Sequence, residues 1–331
     1  MEMKRREFIK RMAALGMSAA AAGVLFSQLA CSGGELPAVP PAPSTPVPVP
    51  EPVPPPVPPE QVGGIYISVA RGESPAALVQ TAIKALGGIE QFVKTGDDVI
   101  IKPNICVAYH SEEYAATTNP EVVSALTTLC LGAGARRVRV MDSPFGGTAA
   151  EAYERSGIGE AVRSAGGEME QMAKMKYREV EFPSGIDLKR WNVYGDALDA
   201  DVLINVPIAK HHSMARLTLG MKNLLGLVTD RNQFHFNLGQ RIADLNSRMR
   251  PTLTVVDAVR ILMNHGPSGG DLSDVKKTDT VIASRDVVAA DAYAATLFGL
   301  TGVDIPAIRA GAEMGLGTMD LENIKIEEIR L

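Results

Sequence analysis

Between Asn205 and Asp230 the chain reads NVPIAKHHSMARLTLGMKNLLGLVTD, gathering Lys210, His211, His212, Arg216, Lys222 and Asn223 in an otherwise apolar run. Ammonium and imidazole groups at this density suit two kinds of chemistry: neutralising a bound carboxylate or phosphate, and moving a proton. Lys222 lies inside LTLGMKNLLGL, where a charge is costly without a partner, so a solvated surface lysine explains it poorly. With Lys210 and Lys102 it could make a cationic floor for an anion, and a partly desolvated lysine can act as a general acid or base. His212 is the candidate for proton transfer or metal ligation, with His235 and His265 as companions and Asp142 or Asp257 as carboxylate partners. His211 and His212 are adjacent, so their side chains diverge on either a helix or a strand and do not share one metal. For each histidine the competing reading is a hydrogen-bonded structural group.

These groups need elements to hold them. The apolar run DVLINVP leads straight into the basic stretch, which places the polar groups at a strand's carboxyl end, where open α/β sheets receive ligands. Further strands are expected at Ile65–Ala70, Val99–Lys102, Val138–Asp142, Val202–Val206, Leu253–Val256 and Val281–Ala283. Helices are expected after the Ser74-Pro75 and Asn119-Pro120 caps, up to about Ala165, and over Val287–Phe298. Tyr177–Phe182 and Trp191–Tyr194 read as short strands of a small antiparallel subdomain. The alternation predicts an α/β fold, a mainly parallel sheet covered by helices.

Five strand ends carry polar groups: Lys102-Pro103-Asn104, Asp142-Ser143, Asn205 with Lys210, Asp257, and Ser284 with Asp286. Parallel strands would bring all five to one rim; a helix cap is the competing role for each. The loop DSPFGGT (Asp142–Thr148) could wrap backbone N–H groups around an anion, assisted by the Ser143 and Thr148 hydroxyls, or be a plain tight turn. Lys102, Asn104, Ser143, Thr148 and Asn223 are therefore the expected anion-binding set. His212, Lys210 and Lys222 are the expected catalytic set. His212, Asp142, Asp257 and His235 are the expected shell of a divalent transition metal.

Composition removes other classes. The chain carries a net charge of −5, with +3 in the segment through Arg11 and −3 from Glu35, Glu51 and Glu60, so the remainder is also at −5 and lacks a basic stripe for nucleic acid. Cys106 and Cys130 cannot supply the four thiolates of a typical iron–sulfur cluster, so no internal cluster is expected. Cys130 reads as helix core, and Cys106 as a thiol at a strand end. The P-loop, G-x-G-x-x-G and H-E-x-x-H patterns are missing.

The amino-terminal residues speak of export. Lys4, Arg5, Arg6, Lys10 and Arg11 precede an apolar, Ala- and Gly-rich run from Met12 to Leu29, the pattern of a signal peptide. RREFIK resembles the twin-arginine signal, whose machinery exports folded proteins, often with a cofactor already inserted. Cys31, followed by Ser32-Gly33-Gly34, resembles the acylated cysteine of a bacterial lipoprotein; Gln28 departs from that motif, and cleavage to a soluble periplasmic form is the alternative. From Pro37 to Pro59 thirteen of twenty-three residues are proline, which predicts a polyproline II spacer. The expected organisation is a signal at 1–30, a tether at 31–61 and an α/β domain at 62–331.

IKPNI (Ile101–Ile105), TTNPEVVSAL (Thr117–Leu126), VMDSPFGGT, KHHS continuing to LTLGMKNLLG (Lys210–Gly226), TVVDAV and GPSGG together resemble the family called domain of unknown function 362. In that pattern Lys210, His212, Thr218, Lys222, Asn223 and Gly226 fall on family positions, and His211 on a variable one. Some relatives carry an attached ferredoxin-like domain with a run of cysteines, and no such run occurs in these residues. The family is similar to the amino-terminal domain of nickel-dependent lactate racemase, where histidines and a lysine hold a nickel-pincer cofactor, although chemistry does not travel with a fold. The expectation is an exported domain binding a small anionic molecule, with or without a metal. Its rivals are a membrane-tethered, non-catalytic binding module and an accessory protein of a redox or metal-handling complex.

Overall fold

Val99 and Ile101 bury into one apolar core and Ile100 into another, as Ile204 and Leu203 do on a neighbouring strand. Strands with both faces dry are what helices on both sides of a sheet require. The computed structural model describes Gly64 and residues 66–331. The expected signal segment, Cys31 and the proline-rich tether lie outside the described residues.

In chain order the elements are β1 (Ile67–Arg71), α1 (Pro75–Ala85), β2 (Asp98–Pro103), α2 (Pro120–Gly132), β3 (Arg137–Val140), α3 (Ala149–Arg155), α4 (Ile158–Ser164) and β4 (Glu168–Met169). There follow β5 (Tyr177–Glu181), β6 (Arg190–Tyr194), α5 (Gly195–Asp199), β7 (Val202–Val206), β8 (Ile208–His212), β9 (Arg216–Thr218), α6 (Gly220–Asn223) and α7 (Leu238–Arg248). The chain closes with β10 (Leu253–Leu262), β11 (Val275–Ser284), α8 (Val287–Thr296), α9 (Pro306–Glu313) and β12 (Ile326–Arg330).

Ten strands form one sheet in the order β12-β1-β11-β10-β7-β2-β3-β4, with β8 attached to β10 and β9 to β8. The neighbours from β10 through β7, β2 and β3 to β4 are parallel, and β11 runs against both β1 and β10. Helices α1, α2 and α4 cover one face, with Leu78, Val122, Leu126 and Ile158 in its core. Helices α6 to α9 and the antiparallel β5–β6 pair cover the other. The fold is therefore the expected α/β architecture with a small antiparallel piece. Asn119 caps α2 through its side chain, accepting from the Glu121 N–H at 2.8 Å, with Pro120 in the first turn.

Two strand ends differ from expectation. The apolar run at Leu253 does not stop at Val256 but continues to Leu262, so Asp257 is a mid-strand residue. Ser284 ends a strand antiparallel to β10 and pairs with Thr254 near the start of β10, which takes it to the opposite edge of the sheet. Its neighbour Asp286 caps α8, accepting from the Ala289 N–H at 3.0 Å. An apolar run carries no sign of its direction, which hides the antiparallel course of β11, or of its length, which hides the continuation of β10 past Asp257.

Candidate anion-binding cleft

The carboxyl ends of β2 and β3, the β8–β9 hairpin and α6 enclose a cleft of about 730 Å³. Lys102, Asn104, Asp142, Ser143, Lys210, His212, Lys222, Asn223 and His235 all line it. Parallel pairing sets these ends side by side: Lys102 opposes Asn205 of β7. On the far side Lys210 of β8 opposes Thr218 of β9, so their side chains share a face.

The three lysines are held in three different ways. Lys102 is buried and pairs with the Asp142 carboxylate at 2.8 Å, while also donating to Asn223 Oδ1 at 2.9 Å. Burial lowers its pKa and the Asp142 charge opposes that fall, so the ammonium persists as half of an ion pair. Asp142 takes two backbone N–H donors as well, from Ile105 at 2.6 Å and Ser143 at 2.8 Å. Gly226 packs against this pair, and a Cβ there would collide with the Asp142 carboxylate.

Lys210 is wrapped by oxygen: it donates to Asn104 Oδ1 at 3.0 Å and to the carbonyls of Ala116 at 2.6 Å and Pro267 at 2.9 Å. The Pro267 carbonyl arrives because Gly266 lies on the His211 backbone, where any Cβ would overlap the carbonyl oxygen. The GPSGG segment thus serves the site from a distance in sequence. Lys222 has neither an ion-pair nor a hydrogen-bond partner among the described residues. Burial, then the Lys210 charge, brings its pKa down to about 7; the Lys102 and Arg231 charges add to the fall.

Asn223 knits the floor. Its amide donates to the Lys102 carbonyl at 3.1 Å and to Asn205 Oδ1 at 2.9 Å, and its oxygen accepts from Asn104 Nδ2 at 3.0 Å. The short α6 that carries Lys222 and Asn223 is started by Asp291, which accepts from the Gly220 N–H at 2.6 Å and the Met221 N–H at 2.8 Å. Burial raises the Asp291 pKa to about 7.

His212 has its protonation state set by its surroundings. Nδ1 accepts from the backbone N–H of Met214 at 3.1 Å and of Ala215 at 3.2 Å. The flipped ring would present a C–H to two N–H donors, so the proton of the neutral imidazole belongs on Nε2. Burial, and then the Lys222 charge, take its pKa down to about 3, so the ring stays neutral at ordinary pH. It is a donor through Nε2–H rather than a base. Thr218 gives a further donor: it is 3% exposed, lines the cleft, and its hydroxyl has no protein partner.

The expected metal shell does not fit these contacts. His212 Nε2 carries a proton, and the Asp142 carboxylate is committed to Lys102 and two backbone amides. Asp257 does not line the cleft; it accepts from the Asn119 N–H at 2.7 Å and the Val259 N–H at 3.0 Å, and burial raises its pKa to about 6. His235 lines the cleft, but among the described residues no group of three His, Cys, Asp or Glu side chains is placed to hold a metal. Thr148 is likewise off the cleft wall, exposed and engaged in a capping box with Glu151 at the start of α3. His265 is exposed and bonded to Asp274 at 2.7 Å.

Three contributors escaped the sequence reading as site residues. Thr218 sits on an apolar strand pattern, and its missing partner is a property of three dimensions only. Arg231 donates to the Ser143 carbonyl at 2.8 Å and to Ser143 Oγ at 3.3 Å, fixing that loop at the cleft. Pro267 lends a carbonyl, which no side-chain pattern reports. Cys106 lines the cleft with Sγ at 3.5 Å from the Pro267 carbonyl oxygen, whereas Cys130 is buried in the core as expected.

A thylakoid-associated protein from Synechocystis is 28% identical over 250 residues, covering 72% of this chain and 75% of that protein. Among solved structures, the lactate racemase apoprotein from Thermoanaerobacterium thermosaccharolyticum aligns with a TM-score of 0.45 at 12% identity, over 69% of this chain and 55% of that one. A protein from Thermotoga maritima aligns with a TM-score of 0.43 at 11% identity, over 69% of this chain and 60% of that one. The chain thus spans less than two thirds of either solved structure. The pattern of the family described as domain of unknown function (DUF362) matches residues 99–296, and the chain belongs to that family.

Proposed function

We propose that the protein binds a small anionic molecule in this cleft and exchanges a proton with it through Lys222. The observation that carries the reading is the pair of uncommitted donors on residues lining one cleft, the Lys222 amine and the His212 Nε2–H, with the buried Thr218 hydroxyl unpartnered behind them. Buried polar groups are normally paired, and donors left over at a cleft suit an anion that accepts from them. Lys210, fixed by oxygen acceptors, and Arg231 supply positive charge, while that of Lys102 is balanced by Asp142. Lys222 has its pKa near neutrality, where an acid–base group works best.

Residues 1–30 and 31–61 are proposed as a twin-arginine signal and a lipid-anchored spacer. The thylakoid association stated for the Synechocystis relative supports a membrane-attached protein. Among the described residues no helix is long and apolar enough to cross a membrane. The test is calorimetric titration with short carboxylates, oxo acids and phosphate monoesters, paired with deuterium uptake from solvent into any ligand found. Binding that weakens in Lys222→Met, with loss of deuterium uptake, is the expected result. Failure of the whole panel to bind would overturn it, and binding without exchange would leave a tethered binding module.

A further inference from the structure

The geometry points to Lys222 as an amine nucleophile that forms an imine with a carbonyl-bearing anion. This rests on the anion-binding reading and adds the class of compound. The three lysines differ in what holds them. Lys102 is committed to Asp142 and Asn223, and Lys210 to three oxygen acceptors, each arrangement holding an ammonium. Lys222, on the same wall, has no acceptor to retain its third proton among the described residues. Its environment therefore favours the neutral amine, whose lone pair is available for bonding.

A nucleophile needs something to polarise its target. Thr218 precedes Lys222 by four residues and lines the cleft, and its hydroxyl is buried without a protein partner. His212 presents Nε2–H to the same cleft because Nδ1 is consumed by two backbone amides. Two neutral donors beside a free amine suit a carbonyl oxygen. In the step, the Lys222 nitrogen bonds to the carbonyl carbon while the carbonyl oxygen takes up a proton. The carbinolamine then loses the oxygen as water, its nitrogen giving up the second proton, to leave C=N. Met214 and Lys222 also line an adjoining small pocket among Leu217, Leu219 and Ile308, which would receive a short apolar substituent.

The test uses the full chain with glyoxylate as anionic probe and propanal as neutral probe, each with cyanoborohydride, which reduces an imine to a stable secondary amine. Peptide mapping compares Lys222 with the exposed Lys84 and Lys174. The expected result at pH 7 is labelling of Lys222 more than tenfold faster than either, with glyoxylate preferred and the rate rising with pH through about 7. An ordinary lysine is neutral to only about 0.03% at that pH, which makes the margin conservative. Thr218→Val should slow Lys222 labelling without altering that of Lys174. Rapid labelling by both probes alike would uphold the nucleophile and overturn the anion reading. Labelling of Lys222 no faster than the exposed lysines would overturn the imine, even where calorimetry still finds glyoxylate bound.

Discussion

A buried hydroxyl without a partner is a cost in the free protein, and Thr218 carries that cost on the wall of the cleft. Thr218→Val keeps the shape and removes the hydroxyl, so thermal stability should hold or rise while anion affinity falls by about 1 kcal/mol, roughly fivefold. A parallel loss of both would make Thr218 an ordinary structural residue. Lys222 gives a pH signature. Its ammonium is present below about 7, so anion affinity measured by calorimetry should fall as pH rises through that value, and Lys222→Met should flatten the profile. Stability runs the other way. The folded chain holds fewer protons at Lys222 than the unfolded chain between about 7 and the ordinary 10.5, so this residue makes unfolding free energy rise with pH across that window. Lys210, His212 and Lys222 were legible because charge in an apolar run is conspicuous. The distinction among them was not, since it lies in partners brought by Asn104, Ala116, Pro267 and the Met214 and Ala215 amides.

Placement of those side chains depends on short elements more than on long ones. Helix α6 has four residues, too few to hold itself together, and is fixed instead by the two N–H groups donated to Asp291 of α8. Asp291→Ala would leave both donors buried and unpaired, at a cost of roughly 2–5 kcal/mol, and would release Lys222 and Asn223 from register. The penalty has a direction with pH. The Asp291 pKa is raised to about 7 from the ordinary 3.8, so its stabilising contribution is complete below 3.8 and declines as pH rises through 7. Urea denaturation should therefore show a larger difference between wild type and variant at pH 5 than at pH 8. An equal penalty at both would mean that Asp291 is ionised in the fold. The strand ends at Lys102, Asp142 and Asn205 were legible at this scale because each closes a short apolar run. Asp257 and Ser284 belong to β10 and β11, where length and antiparallel direction are settled by pairing across the sheet.

At the scale of the whole molecule the alternation of strands and helices announced an α/β fold, and the two cores on either face of the sheet are its consequence. The proposed attachment is a separate matter and rests on the sequence of residues 1–61. Pro37 to Pro59 are proposed as a polyproline II spacer, which at about 3.1 Å per residue has a reach of about 70 Å. A diacylated cysteine makes such a spacer useful, because one acyl chain alone binds membranes only marginally. The full chain expressed in a bacterium with twin-arginine export should therefore fractionate with membranes, and its mature amino terminus should be an acylated Cys31. Cys31→Ser should move it to the soluble fraction while leaving glyoxylate affinity unchanged, since none of the described residues before β2 lines the cleft. Replacing Arg5 and Arg6 with lysine should retain the chain in the cytoplasm, still folded. A wild-type chain recovered in soluble form with an unmodified terminus would remove the anchor and leave the spacer without a purpose of this kind. Lost affinity in Cys31→Ser would instead show that the membrane surface itself contributes to the site.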